Sequence, residues 1–240
     1  MKILAVDTSS TAASVAIVEN TKLMAEYTLN HAKTHSQKLM PMVKELMDEL
    51  GLKPEDVDIY AASSGPGSFT GLRIGITTVK ALAYATQKPV VSVPTLDALA
   101  YNIPLTDSII CPVMDARNNQ VYTALYKWEK NIQVKVTEYM GIDIMELLNL
   151  IKGRNQKVLF LGDAVHTHCE LLKKELPEKC GFAQENLWIP RASSVGSAAF
   201  LKAAAGKLES CFDMVPFYLR KSQAEREFDK RAESGRFLQD

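Results

Sequence analysis

Ser64-Gly-Pro-Gly-Ser-Phe-Thr-Gly-Leu-Arg-Ile-Gly75 is the stretch on which the reading of this chain turns. It lies between an apolar run, Val57–Ser63, which predicts a strand, and a helical pattern from about Leu72 to Thr86. Backbone amides at the start of such a helix can hold an anion. The two common phosphate loops nevertheless do not fit. A P-loop wants Gly-Lys-Ser/Thr, with its second glycine five positions after the first, and Thr70 and Leu72 stand there relative to Gly65 and Gly67. The dinucleotide pattern fails too, because Thr70 takes the place of its third glycine. Gly65, Pro66, Gly67, Ser68, Phe69, Thr70, Gly71 and Arg73 therefore read first as a demanding bend that uses glycine's tolerance of positive φ. An anion site at the helix start is the alternative.

Upstream, Lys2–Asp7, Ala13–Glu19 and Lys22–Leu29 predict a meander of strands with a tight turn at Asn20-Thr21. Thr34 and Gln37 have capping-box spacing, and Leu39, Met40, Val43, Leu46, Met47 and Leu50 follow at helical steps until Gly51. Pro89–Val93 predicts a strand and Thr95–Tyr101 a short helix. The pattern then restarts. Ile109–Met114, Val121–Trp128 and Ile132–Tyr139 predict three strands, Asp143–Ile151 a helix, Lys157–Leu161 a strand and Ala164–Leu176 a helix. A further helix runs from Ser193 or Ser194 to Ala205. Both halves share the order strand-strand-strand-helix-strand-helix, which suggests a duplicated α/β lobe without shared sequence. The expected division is residues 1–103, residues 104–221, and a charged tail over 222–240, helical or frayed.

Composition narrows the function classes. With 28 basic and 28 acidic side chains the net charge is zero. That is a poor basis for gripping nucleic acid through phosphates, so tRNA is expected to be touched only weakly or indirectly. Cys111, Cys169, Cys180 and Cys211 form no CxxC pair, Asp7 ends the first apolar run, and no stretch is long and apolar enough to span a bilayer. Reduced thiols in the cytoplasm are the expectation.

Asp7, Thr8, Ser9 and Ser10 follow the first strand, where an acid and hydroxyls could meet a phosphate and its magnesium; they are equally good turn residues. Asp115-Ala116-Arg117 lacks the glycines of a second phosphate loop, and Gly162-Asp163-Ala164 is poor in glycine for an adenosine site. ATP is thus expected only at a shared or vestigial site. The pairs His31/His35 and His166/His168 make poor metal sites: a loop separates the first, and the second diverge around a helix. Ser64, Ser68 and Cys111 sit in no nucleophile motif. Gly71, Gly75 and Val79 form a small-residue stripe for close packing, against either the chain's own sheet or another molecule.

The twelve-residue glycine segment closely resembles the hallmark of the bacterial TsaB (YeaZ-like) family. The resemblance extends through Ile3-Leu-Ala-Val-Asp-Thr-Ser9, His35-Ser-Gln-Lys-Leu-Met-Pro41, Asp115-Ala-Arg-Asn-Asn-Gln-Val-Tyr122 and Val215-Pro-Phe-Tyr-Leu-Arg220. It implies an actin-like (ASKHA) α/β fold of two related lobes, each a mixed sheet flanked by helices. It also implies an accessory, non-catalytic role beside TsaD-like and TsaE-like proteins in making N6-threonylcarbamoyladenosine in tRNA. The resemblance extends to TsaD itself, whose metal-binding histidines stand in a run matched here by Val93-Pro-Thr-Leu-Asp-Ala-Leu99. Thr95 and Leu99 replace them, so the implied ligand set is missing and no metal or cofactor is expected. The family's partner and homodimer contacts imply an interface on the two N-terminal helices: Leu39, Met40, Val43, Leu46, Met47, Leu50, Gly71, Gly75 and Val79. The competing reading is an enzyme, either an M22-type metallopeptidase or an ATPase.

Overall fold

A computed structural model describes residues 1–30 and 35–220. The expected Thr34 cap, His31 and the 222–240 tail lie outside the described residues. The first sheet begins with the expected meander, β1 (Lys2–Asp7), β2 (Ala12–Glu19) and β3 (Lys22–Asn30), antiparallel in register. Then follow α1 (His35–Glu49), β4 (Ile59–Gly65), α2 (Phe69–Thr86), β5 (Val90–Pro94) and α3 (Thr95–Ala100). β4 joins β1 in parallel and β5 joins β4, giving the order β3-β2-β1-β4-β5.

α2 starts three residues before its expected Leu72, at Phe69. Ser68 is the reason: its Oγ accepts from the Gly71 amide at 3.2 Å and its carbonyl accepts from the Leu72 amide. Half of the glycine bend is therefore helix.

The second sheet comprises β6 (Ile109–Asp115), β7 (Gln120–Thr123), β8 (Tyr126–Glu129), β9 (Ile132–Lys135), β10 (Met140–Asp143), β11 (Val158–Leu161) and β12 (Cys180–Phe182). α4 (Ile144–Lys152) and α5 (Ala164–Glu175) connect the later strands. Its main path is β10-β7-β6-β11-β12, with β8 pairing β6 and β9. Strand for strand this repeats the first sheet: the leading strand is central, an antiparallel pair lies on one side, and two parallel strands lie on the other. The duplication is real at the level of topology, and β8–β9 is an inserted hairpin.

That hairpin corrects two expected strands. Val121–Trp128 is broken at Ala124-Leu125, where the Leu125 amide donates to Thr137 Oγ1 at 2.9 Å and its carbonyl accepts from Val136. Ile132–Tyr139 ends at Lys135, and the third strand of the repeat is Met140–Asp143. An unbroken run of β-favouring residues hid the break, and β12 was too short to register.

α6 (Ala192–Ala204) belongs by sequence to the second half but covers the first sheet. Ala192, Val195 and Ala199 pack on Ile3, Ala5, Ala16 and Val91, opposite the face that carries α1 and α2. With both faces covered, β2 is buried at all positions but Glu19, so its sequence does not alternate polar with apolar.

Candidate functional site

The two lobes face each other across a cleft of about 590 Å³. Ser9, Ser10, Gly67 and Ser68 line it from the first lobe, Asp115, Arg117 and Asp163 from the second, and Arg220 from the C-terminal segment. Ser9 and Ser10 thus reach it. Asp7 and Thr8 do not line it; they are 1% and 2% exposed.

Asp7 accepts hydrogen bonds from the Ser9 amide at 2.9 Å, from Ser9 Oγ at 2.8 Å and from Ser63 Oγ. Burial raises its carboxyl above the ordinary carboxylate range, against the lowering effect of those bonds. Thr8 Oγ1 donates to the Gly71 carbonyl at 2.8 Å. The acid and hydroxyl that a phosphate or its magnesium would use are spent on holding the β1–β2 turn against β4 and α2. The corresponding turn of the second lobe carries Arg117, Asn118 and Asn119, all left-handed, with side chains where a phosphate grip would need bare amides. Beside it, Asp163 Oδ1 accepts from the Asp115 amide at 2.9 Å, and burial, then Asp115, pushes the Asp163 carboxyl up. Asp7 and Thr8 therefore offer a nucleotide's phosphates neither a free carboxylate nor a free hydroxyl.

The glycine bend resolves as an internal joint. Gly65 has φ +120°, and a Cβ there would lie well inside 3.0 Å of the Phe217 carbonyl. Gly71 and Gly75 approach the Thr8 carbonyl and Thr8 Oγ1 just as closely, and Val79 is fully buried in the α1–α2 core. The small-residue stripe therefore serves the chain's own β1–β2 turn, and its expected use between molecules is corrected.

The same correction applies to α1. Leu39, Val43, Leu46 and Met47 are at most 5% exposed and pack on the sheet with α2. Leu50 is half-buried against that core, and of the expected interface residues Met40 alone is well exposed, at 46%. Helical spacing identified the apolar stripe, but such a stripe faces inward by default. The outward face is Met40, Pro41 and Lys44 on α1 with Arg73, Thr77, Ala81 and Tyr84 on α2. Between α2 and residues 211–218 lies an apolar groove of about 530 Å³, where Phe212, Val215 and Tyr84 are exposed. The sequence signal for it is Val215–Arg220, whose likeness to the family carries no sign of its place in the fold.

Thr95 and Leu99 are fully buried, and Thr95 Oγ1 has no hydrogen-bond partner among the described residues. No group of three or more His, Cys, Asp or Glu side chains that could hold a metal occurs among them. His35 Nε2 lies 2.9 Å from the Ser10 carbonyl oxygen, His166 packs edge-on to Trp188, and His168 is buried. All four cysteines are free thiols, and burial pushes Cys111 up to about 12, which leaves it a poor nucleophile. No helix among the described residues is long and apolar enough to cross a membrane.

Comparison with known proteins follows the same lines. The tRNA threonylcarbamoyladenosine biosynthesis protein TsaB of Bacillus subtilis is 35% identical over 229 residues, 94% of this chain and 96% of that protein. This chain belongs to the TsaB family. Two solved structures from Pseudomonas aeruginosa, one titled YeaZ and one titled as similar to peptidase YEAZ, superpose with TM-scores of 0.76 and 0.80. Each is 27% identical, covering 91% of this chain and 99% of theirs. A family model described as "TsaD: tRNA N6-adenosine threonylcarbamoyltransferase" matches residues 22–228. The Agrobacterium fabrum protein of that name is 40% identical, but only over 35% of this chain and 23% of its own length. The TsaB-family chain is thus similar almost end to end to the Bacillus subtilis biosynthesis protein and is matched over most of its length by the family model named for the transferase. Its actin-like ATPase fold is shared with a Clostridium difficile dehydratase activator, at TM-score 0.51 and 12% identity.

Proposed function

We propose that this TsaB-family chain is the accessory subunit of the N6-threonylcarbamoyladenosine machinery. It binds and activates a TsaD-type transferase, together with a TsaE-type protein, in the cytoplasm, and has no catalytic centre or cofactor of its own. The observation that carries this reading is the internal use of Asp7 and Thr8. An actin-like cleft beside which the acid and hydroxyl of the β1–β2 turn are buried in hydrogen bonds is built to hold shape. What remains available to a partner is the outward face of α1 and α2, with Met40, Ala81 and Tyr84 on it. Its mixed, shallow character suits both a homodimer and a TsaD-type protein, and such an interface would bury roughly 1,200–2,000 Å².

The test is co-purification of the chain with a TsaD-type protein, comparing the natural sequence with Met40→Asp and Tyr84→Asp. Both variants should fold and lose the partner. Folded variants that keep full binding would place the contact elsewhere. The enzyme readings carry their own test: stoichiometric zinc or iron, or ATP hydrolysis by the chain alone that Asp7→Ala abolishes, would establish one of them.

A further inference from the structure

Residues 209–220 leave the end of α6 and run across the molecule outside both sheets. Glu209 fixes the start: it bridges Val90 on the edge of the first sheet, and its carboxylate accepts from the Ser92 amide at 3.1 Å and Ser92 Oγ at 2.8 Å. Lys80 on α2 then donates to the Met214 carbonyl at 2.9 Å, and the Met214 side chain is buried in the α1–α2 core.

Next the segment crosses the glycine bend. The Phe217 amide donates to the Ser64 carbonyl at 2.6 Å, and the Phe217 carbonyl occupies the space that a side chain on Gly65 would need. Tyr218 stacks on Phe69 with centroids 4.5 Å apart, and its hydroxyl accepts from Arg73 Nε at 3.2 Å, while the Arg73 guanidinium lies 3.9 Å from the Phe69 ring centre.

The last contacts are on the other lobe. The Phe217 ring meets Tyr139 edge-on at 5.5 Å, and Arg220 Nη1 donates to the Ala116 carbonyl in the β6–β7 turn. Phe217, Tyr218, Leu219 and Arg220 all line the cleft. One short segment is thus anchored on the first lobe at Glu209 and Met214, wedged into its glycine bend, and tied to the second lobe at the cleft mouth.

We propose that residues 209–220 form a clamp that sets the separation of the two lobes, with Arg220 as the latch on the second lobe and Tyr218, stacked on Phe69, as the grip on the first. The lobes are joined at α3, whose Leu96 and Leu99 sit in the core of the second lobe and whose Asp97 accepts from Tyr126 and Tyr139. Opening is therefore a hinge about that joint, and a strap across the cleft mouth biases it. The glycine bend is then the seat of the clamp, which accounts for the bare backbone at Gly65. The clamp belongs to the isolated chain and does not depend on the accessory role proposed above.

The test is a distance between the lobes in the full chain. Spin labels at Thr21→Cys in the β2–β3 turn and Glu146→Cys on α4, both exposed, report it by pulsed dipolar spectroscopy. The half-buried Cys169, Cys180 and Cys211 are replaced by serine in every sample. The unmutated clamp should give one narrow distance. Arg220→Ala and Tyr218→Ala should each add a longer population at unchanged far-UV circular dichroism, and Arg220→Lys, which keeps a cationic donor, should restore part of the narrow one. If Tyr218→Ala does not fold, Arg220→Ala decides alone, because the hydrogen bond it removes is the one to the Ala116 carbonyl. An unchanged distribution in folded Arg220→Ala overturns the clamp.

Discussion

The Thr8 hydroxyl oxygen fills the space that a side chain on Gly75 would need. It is held there by its hydrogen bond to the Gly71 carbonyl, so it cannot step aside at low cost. Gly75→Ala should therefore destabilise the protein by about 1–2 kcal/mol, overpacking strain outweighing the roughly 1 kcal/mol that alanine adds to a helix. Thr8→Ala in the same chain should recover about 1 kcal/mol of that loss as a coupling energy in urea unfolding. Additive effects would mean that the two residues do not share this space.

Val43→Asp places a carboxylate in a site that is 2% exposed. Its expected effect is loss of several kcal/mol of folding stability, with any loss of binding secondary to unfolding. Met40→Asp, one turn away and 46% exposed, should change stability by no more than about 0.5 kcal/mol. Thermal unfolding distinguishes the two. Equal melting temperatures for both variants would mean that α1 presents a different face.

Asp163 carries a sign that can be measured. Its ordinary value is 3.8, and burial raises it in the folded chain. Between those two values the folded state holds a proton that the unfolded state has lost, so this group's contribution to stability falls as pH rises through that window and is constant above it. Asp163→Asn keeps an oxygen to accept the Asp115 amide and removes the titration. Its advantage over the natural chain should be level below pH 3.8 and grow as pH rises through the window, read from urea midpoints across pH 3–7. Parallel curves would exclude a raised carboxyl.

Thr95→Val replaces a buried hydroxyl that has no partner among the described residues with a methyl group of similar shape. Stability should rise by about 1 kcal/mol, because an unpaired polar group is removed from the core. A loss of similar size would reveal a hydrogen bond to Thr95 Oγ1.

Much of the architecture was legible in the residues. Helix periodicity found α1 and α2, and the repeated element order pointed to two related lobes, because those signals are local. The Ala124-Leu125 break was not legible, since neither residue is a turn former and the break is made by Thr137 and Val136, more than ten residues on. The packing of α6 on the first sheet was likewise a tertiary choice that its small-residue face permits but does not announce. At the candidate site, Ser9 and Ser10 line the cleft between the lobes, while Asp7 and Thr8 turn inward. Their partners Ser63 and Gly71 lie more than fifty residues away, and no spacing rule connects them.

Threonylcarbamoyl transfer to tRNA by a TsaD-type enzyme, assayed with and without this chain, is the most direct measurement. An accessory activator should be silent alone and raise the enzyme's rate when added, and Met40→Asp should remove that stimulation. Turnover by this chain in isolation, or an equal TsaD rate in its absence, would contradict the role assigned to it.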